Sequence, residues 1–207
     1  DDVLNRFKRG EIDILIGTQM IAKGLHFPNV TLVGILNADQ GLFIPDFRSG
    51  EKTFQLITQV AGRAGRGEVP GEVIVQSFNP EHDAIKFAVT YDFSSFYEYD
   101  MEVRKILKYP PEGHLIAVHF RSESLEDAAQ CALSFHDALL PLAHPELLMT
   151  EPAPSPVERI KGKYRYQILI RGHRLKQIRE RLRQLVLHSR LPNNVDVYID
   201  VDAQSTM

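Results

Sequence analysis

Cysteine is nearly absent from this 207-residue chain, with Cys131 the sole example. A disulfide scaffold and a cysteine-built zinc cage are therefore excluded within it. No apolar run approaches the ~20 residues that span a bilayer, and no signal-peptide pattern precedes the first apolar stretch. The chain opens on Asp1-Asp2 without an initiator Met, so a piece of a longer protein is expected. A dominant charge is lacking too: 24 Lys+Arg stand against 27 Asp+Glu, a net −3. With 43% hydrophobic residues, the composition is that of globular domains rather than of disordered or low-complexity chains.

Two regions differ beneath that average. The double proline Pro110-Pro111 divides an expected first domain, residues 1–108, from a second, residues 109–207. Within the second, residues 159–190 hold 11 basic residues and one acid, Glu180. Such a stretch is either a solvated face or a surface for a polyanion.

The first part reads as an α/β layer. Ile12–Ile16, Leu32–Leu36 and Val73–Val75 are short apolar runs of the kind that parallel strands show when helices cover both faces of the sheet. Helices are expected over about Glu51–Gly65, Glu81–Val89 and Phe93–Leu107. After the double proline the order is β-α-β-β-α-β, with strands at Leu115–Phe120, Leu147–Thr150, Lys163–Ile170 and Val195–Val201. The helices start near Ser124, where Ser124-Leu125-Glu126-Asp127 resembles a cap, and at Arg174. Pro152, Pro154 and Pro156 are expected to make a loop. This order suggests a ferredoxin-like or related split α/β sandwich.

Two segments carry chemistry. In Gln59-Val60-Ala61-Gly62-Arg63-Ala64-Gly65-Arg66, residues Gln59, Arg63 and Arg66 share a helix face. Each Gly there costs about 1 kcal/mol relative to Ala in a helix interior, so a close backbone approach or a helix end is expected. Paired guanidiniums suit the spread charge of a transferring phosphoryl group; a polar helix end with two solvated arginines is the plainer alternative. The second segment, Gly17-Thr18-Gln19-Met20-Ile21-Ala22-Lys23-Gly24-Leu25-His26-Phe27-Pro28, follows an expected strand at the end where open α/β sheets bind ligands.

Together these segments resemble motifs V and VI of superfamily 2 helicases. With Asp46-Phe47-Arg48, Pro110-Pro111 and the Val201–Ala203 ending, they resemble the bacterial replication-restart helicases of the PriA (primosomal protein N′) type. The resemblance implies the second half of a RecA-like helicase lobe with a parallel sheet, followed by the C-terminal domain, in a DNA-dependent ATPase and 3′→5′ helicase. It makes Arg66 the arginine finger, with Arg63 beside it at the ATP γ-phosphate and Gln59 positioning the nucleotide or attacking water. Thr18 and Gln19 would contact DNA, and Gly24, assigned to the nucleotide side, would let the chain pass close to nucleotide or nucleic acid. His26 stands where many such motors place an Asp toward the ribose. A Gly-x4-Gly-Lys-Ser/Thr phosphate loop and a magnesium-holding Asp-Glu-x-His box do not occur; after Gly162-Lys163, Tyr164 takes the Ser/Thr place. The chain alone is thus expected not to hydrolyse ATP, with ATP and Mg²⁺ bound mainly by the missing part. The family's zinc sites have no ligands in this stretch.

In the second domain, Lys163, Arg165 and Gln167 fall on one strand face and Tyr164, Tyr166, Ile168 and Ile170 on the other. The last helix should bury Leu175, Ile178, Leu182 and Leu185 and turn Arg174, Arg179, Arg181 and Arg183 outward. The family suggests forked and single-stranded DNA for this basic face, through Lys163 and Arg165. It also suggests the acidic tail of single-stranded-DNA-binding protein, through Lys161, Arg165 and Arg171, and other primosome proteins. His114 and His119 would face opposite sides of their strand, and Pro141 separates His136 from His144, so no metal site is expected. Cys131 is expected to be buried. A cytoplasmic, nucleoid-associated bacterial monomer without membrane contact is the expected setting. A RecG-like motor and a non-catalytic DNA- or protein-binding module remain the alternatives.

Overall fold

The computed structural model describes residues 2–18, 30–62, 71–188 and 192–207. The chain divides into two compact units: residues 1–44 with 48–98, and residues 45–47 with 99–207.

In the first unit, helix α1 (Asp2–Lys8) precedes strand β1 (Leu32–Ile35), helix α2 (Ser49–Ala61), strand β2 (Glu72–Val75) and helix α3 (Asp83–Val89). Helix α4 (Phe93–Leu107) follows, and the change of unit falls within it. β1 and β2 pair in parallel, Leu32 opposite Glu72 and Ile35 opposite Val75, with α2 as the crossover. The core joins Ile35 and Ala38 to Phe54 and Ile57 of α2, Ala84, Ile85 and Ala88 of α3, and Phe96 of α4. Phe54 and Phe96 stack with centroids 4.3 Å apart.

Two expectations fail here. Ile12–Ile16 forms no strand, and Ile14 and Ile16 are 75% and 87% exposed. Nor are both sheet faces covered, since Leu32, Leu36 and Ile74 are exposed. An apolar run becomes a buried strand only where a neighbouring strand takes its N–H and C=O groups and helices take its side chains. Among the described residues this sheet has two strands and a helical layer on one face only.

In the second unit, strand β3 (His114–Ser122), helix α5 (Leu125–Leu139), strands β4 (Leu148–Met149), β5 (Ala153–Ile160) and β6 (Lys163–Gly172), helix α6 (Lys176–His188) and strand β7 (Val195–Val201) build one antiparallel sheet. Its order is β4-β6-β3-β7, with β5 on the β4 side of β6. α5 starts where expected: the Ser124 hydroxyl accepts from the Asp127 N–H at 3.2 Å. Ile116, Val118 and Phe120 of β3, Ile168 and Ile170 of β6, and Val195 form the core with Cys131, Phe135 and Leu139 of α5. Ile178, Leu182 and Leu185 of α6 complete it.

The prolines mislead at one point. Residues 153–160, expected as a loop, form β5, an edge strand with an irregularity between Pro154 and Arg159. An edge strand needs only half of its N–H groups for pairing, so it accepts proline where a central strand does not. β5 and β6 join through Lys161 (φ 50°) and Gly162 (φ 83°), two consecutive left-handed residues. That is the pattern of a two-residue hairpin whose twist matches its strands. The Gly162-Lys163 pair is thus part of a hairpin and not of a phosphate loop.

Candidate functional site

The first unit presents its chemistry on α2. Ser49, Thr53, Phe54, Ile57 and Ala61 face inward, whereas Gln59 lies on the exposed side. The helix ends at Ala61, and the Gly62 N–H bonds the Thr58 carbonyl at 3.0 Å. The glycine thus stands at a helix end, one of the two roles expected for it. Arg63 and Arg66, four and seven residues beyond Gln59, lie outside the described residues, as do Gln19, Gly24 and His26. Thr18 is exposed on irregular chain rather than at a strand end.

The turn after β1 is tied to the turn after β2 by Asp39. This buried carboxylate accepts from the Ser77 hydroxyl (2.8 Å) and from the backbone N–H groups of Phe78 (2.8 Å) and Asn79 (3.1 Å). Burial alone would raise its pKa; the hydrogen bonds from Phe78, Ser77 and Asn79 outweigh it and hold the carboxyl below its ordinary value. Asp39 thus fixes the carboxyl ends of the two parallel strands, the side on which α/β sheets bind ligands.

On the second unit's sheet, the face away from α5 and α6 carries His119 and Arg121 of β3, Lys163, Arg165, Gln167 and Arg171 of β6, and Asp196 and Tyr198 of β7. The strand alternation is as expected, but the cations are not a free stripe. Arg165 is only 7% exposed, directly opposite Arg121, and its Nη1 donates to the Val157 carbonyl at 3.3 Å. Arg171 sits half-buried with its guanidinium 4.4 Å from the Tyr109 ring centroid. Lys163 donates to Asp196 at 2.6 Å, and this bond holds the Asp196 carboxyl below its ordinary value. Lys161 is exposed in the hairpin turn, and Arg174, Lys176, Arg179 and Arg183 are exposed at and along α6, where the exposed Arg181 donates from Nε to the Ala138 carbonyl at 3.4 Å.

His119 is 4% exposed, stacked on Tyr198 with centroids 4.5 Å apart. Burial, then the charges of Arg165 and Arg121, push its pKa down from 6.5 to about 4, so the ring is neutral near pH 7. The Arg121 guanidinium lies 4.5 Å from the Tyr198 centroid, and its Nη2 donates to the Tyr198 hydroxyl at 2.7 Å. That His119 and His114 face opposite sides of β3 was legible from spacing; the two guanidiniums beside His119 depend on strand register, which spacing does not give.

These features define a class of mixed α/β protein with two units, one built on a parallel strand pair with a helical crossover and one on an antiparallel sheet under two helices. Residues 1–68 match the helicase conserved C-terminal domain, and residues 105–204 match the primosomal protein N C-terminal domain. The Bacillus subtilis (strain 168) replication restart protein PriA is 46% identical over 188 residues, 91% of this chain and 23% of that protein. The Treponema pallidum (strain Nichols) protein of the same name is 43% identical over 202 residues, 96% of this chain and 30% of its own length. The Chlamydia pneumoniae one is 41% identical over 209 residues, 100% of this chain and 28% of its own. The chain belongs to the PriA replication restart family, and it spans between a quarter and a third of the length of most of these relatives.

Proposed function

We propose that the longer protein to which this chain corresponds is a DNA-dependent ATPase and 3′→5′ helicase that acts at stalled forks and reloads the replication machinery. The chain supplies the motif V and motif VI segments and the C-terminal DNA- and protein-binding unit. The observation that carries this reading is α2: it presents Gln59 on its exposed face and ends directly before Arg63 and Arg66, inside the region that matches a helicase domain. ATP is the substrate; Arg66 serves as the arginine finger, Arg63 binds beside it, and Gln59 orients the nucleotide or water. Gly24 and His26 belong to the nucleotide side, and Thr18 and Gln19 to the DNA side. The phosphate loop, the Mg²⁺ ligands and the family's zinc ligands are assigned to the part of the family that this chain does not cover, so the chain alone is inactive.

We assign residues 109–207 as a split α/β sandwich, a reading supported by its β4-β6-β3-β7 order with antiparallel neighbours throughout. Its polyanion surface is centred on the exposed cations of α6, with Lys161 and Lys163 at the hairpin. Forked or single-stranded DNA and the acidic tail of single-stranded-DNA-binding protein are the proposed partners, alongside other primosome proteins, in the bacterial cytoplasm. No helix among the described residues is long and apolar enough to cross a membrane.

The test is Arg66→Ala in the full-length protein. ATP turnover in the presence of DNA should fall by roughly 10³-fold or more, the scale of a lost arginine finger. Forked-DNA affinity should stay within about threefold, since the arginine acts on the transition state rather than on ground-state binding. Turnover equal to that of the unsubstituted protein would overturn the assignment.

A further inference from the structure

Strand β5 loses step with β6 at one place. Ala153 and Pro154 pair with Gln167 and Tyr166, and Arg159 and Ile160 pair with Tyr164 and Lys163. Residues 155–158 of β5 therefore stand opposite a single residue of β6, Arg165. A sheet edge that opens in this way makes a concavity in which polar groups converge. Arg165 is buried there, and its Nη1 donates to the Val157 carbonyl of the bulge at 3.3 Å. Its Nε has no hydrogen-bond partner among the described residues, and neither has the hydroxyl of Ser155, which is 1% exposed.

On the next strand, Arg121 of β3 stands directly opposite Arg165. Like charges so placed repel, and a counter-charge between them relieves the repulsion. The hydrogen bonds of both guanidiniums go to neutral oxygens: Arg121 Nη2 donates to the Tyr198 hydroxyl at 2.7 Å, and Arg165 to the Val157 carbonyl. On the other side of Arg121, Asp196 of β7 takes the Lys163 ammonium at 2.6 Å. Glu158, in the bulge, is exposed. Arg121 Nε, His119 Nδ1 and Gln167 Oε1 are likewise buried without partners among the described residues. Buried polar groups are ordinarily satisfied, so a cluster of this kind marks a place built for a polar ligand.

Donors outnumber acceptors in the cluster, which calls for an anion. One guanidinium fork takes up both oxygens of a carboxylate, whereas a phosphate group has oxygens enough for two forks. Arg121 is the entrance, and Arg165 closes the site from behind. Arg121 is half-buried, with its guanidinium 4.5 Å from the ring centroid of the exposed Tyr198; that contact and the hydroxyl bond fix its orientation. A guanidinium held in place beforehand loses little freedom on binding. This face lies on the side of the sheet away from α6, so the cations of that helix belong to a different surface.

We propose that Arg121, Arg165 and the Ser155 hydroxyl form a site for one phosphate group, seated between the two guanidiniums beside the β5 bulge. The group is either free phosphate or a phosphodiester of a nucleic-acid strand; the recognition is the same, and the two sources are separable by experiment. The site stands whether or not the ATPase reading above holds.

The experiment measures uptake of radiolabelled inorganic phosphate by this chain, with chloride adjusted to hold ionic strength constant. No phosphate loop occurs in the chain to compete for the label. Arg121→Gln and Arg165→Gln should each weaken binding about tenfold or more, the scale of a charged hydrogen bond. Ser155→Ala should weaken it by about two- to fivefold. Lys105→Gln, which removes an exposed charge from α4, should leave it within about twofold. A second readout needs no variant and serves should Arg165→Gln fail to fold. The charges of Arg165 and Arg121 help to hold the His119 pKa down at about 4, so saturating phosphate should shift the titration of that ring upward, followed by NMR. A single-stranded oligonucleotide that expels the label, and itself binds Arg121→Gln about tenfold more weakly, identifies a nucleic-acid strand as the source. One that binds without expelling the label identifies free phosphate. No uptake, uptake unchanged in both arginine variants, or a His119 titration that ignores phosphate would overturn the site.

Discussion

The two units solve the problem of burial differently. The second closes a five-stranded antiparallel sheet under two helices, and its core runs from Ile116 to Val195 through residues of β3, α5, β6, α6 and β7. The first pairs only two strands among the described residues, packs α2, α3 and the start of α4 on one face, and leaves Leu32, Leu36 and Ile74 exposed on the other. Antiparallel sheets tolerate one uncovered face, whereas parallel sheets are built to be covered on both. The comparison teaches that apolar content alone does not make a core. The first unit carries strand-like runs as apolar as those of the second, but lacks among the described residues the layer that would bury them.

The comparison is broken most directly at the second unit's centre. Phe120 is fully buried and meets Phe135 edge-on, centroids 5.2 Å apart and planes at 78°. Phe120→Ala should cost about 3–5 kcal/mol, the scale for a buried aromatic deleted from a closed core. Chemical denaturation followed by probes in each unit should show the loss in the second unit and leave the midpoint of the first unchanged. A uniform loss across both would mean that they unfold as one.

A smaller effect follows from His119. Its pKa is pushed down from 6.5 to about 4 in the folded chain. Above pH 6.5 the ring is neutral whether folded or unfolded, and it contributes no pH dependence. Between 6.5 and 4 the unfolded chain takes up a proton that the folded chain refuses, so stability falls as pH falls. One proton corresponds to at most about 1.4 kcal/mol per pH unit. His119→Gln should flatten the slope of the second unit's stability over that window, measured by denaturation at a series of pH values. An unchanged slope would show that the buried ring is protonated in the fold.

The same contrast explains what could be read from the chain beforehand. In the second unit the alternation of β6, the Ser124 cap and the spacing of Ile178, Leu182 and Leu185 place the elements, because each pattern is completed within the unit. β5 was hidden by Pro154 and Pro156, since proline argues against a strand unless the strand is known to be an edge. In the first unit, Ile12–Ile16 has the composition of a buried strand, but composition does not supply a partner strand. At the candidate site, the exposed face of α2 was legible from helical spacing. The enclosure of Arg165 and Arg171 was not, because it depends on Val157 and Tyr109, which lie far from them along the sheet or in sequence.

The smallest expected effect tests the first unit's open face. Leu36 and Ile74 are 76% and 54% exposed, and an exposed side chain has little burial to lose. In this chain, Leu36→Ser and Ile74→Thr should each change stability by no more than about 0.5 kcal/mol, the ordinary range for surface substitutions. Both should also reduce self-association measured by sedimentation, because contiguous exposed apolar surface is what drives it. Ile74→Thr keeps a β-branched side chain on its strand, which separates loss of apolar area from loss of strand propensity. A cost of 2 kcal/mol or more, the scale of a buried aliphatic deletion, would mean that this face is covered in solution. The contrast between the units would then lie in what covers each sheet and not in whether it is covered.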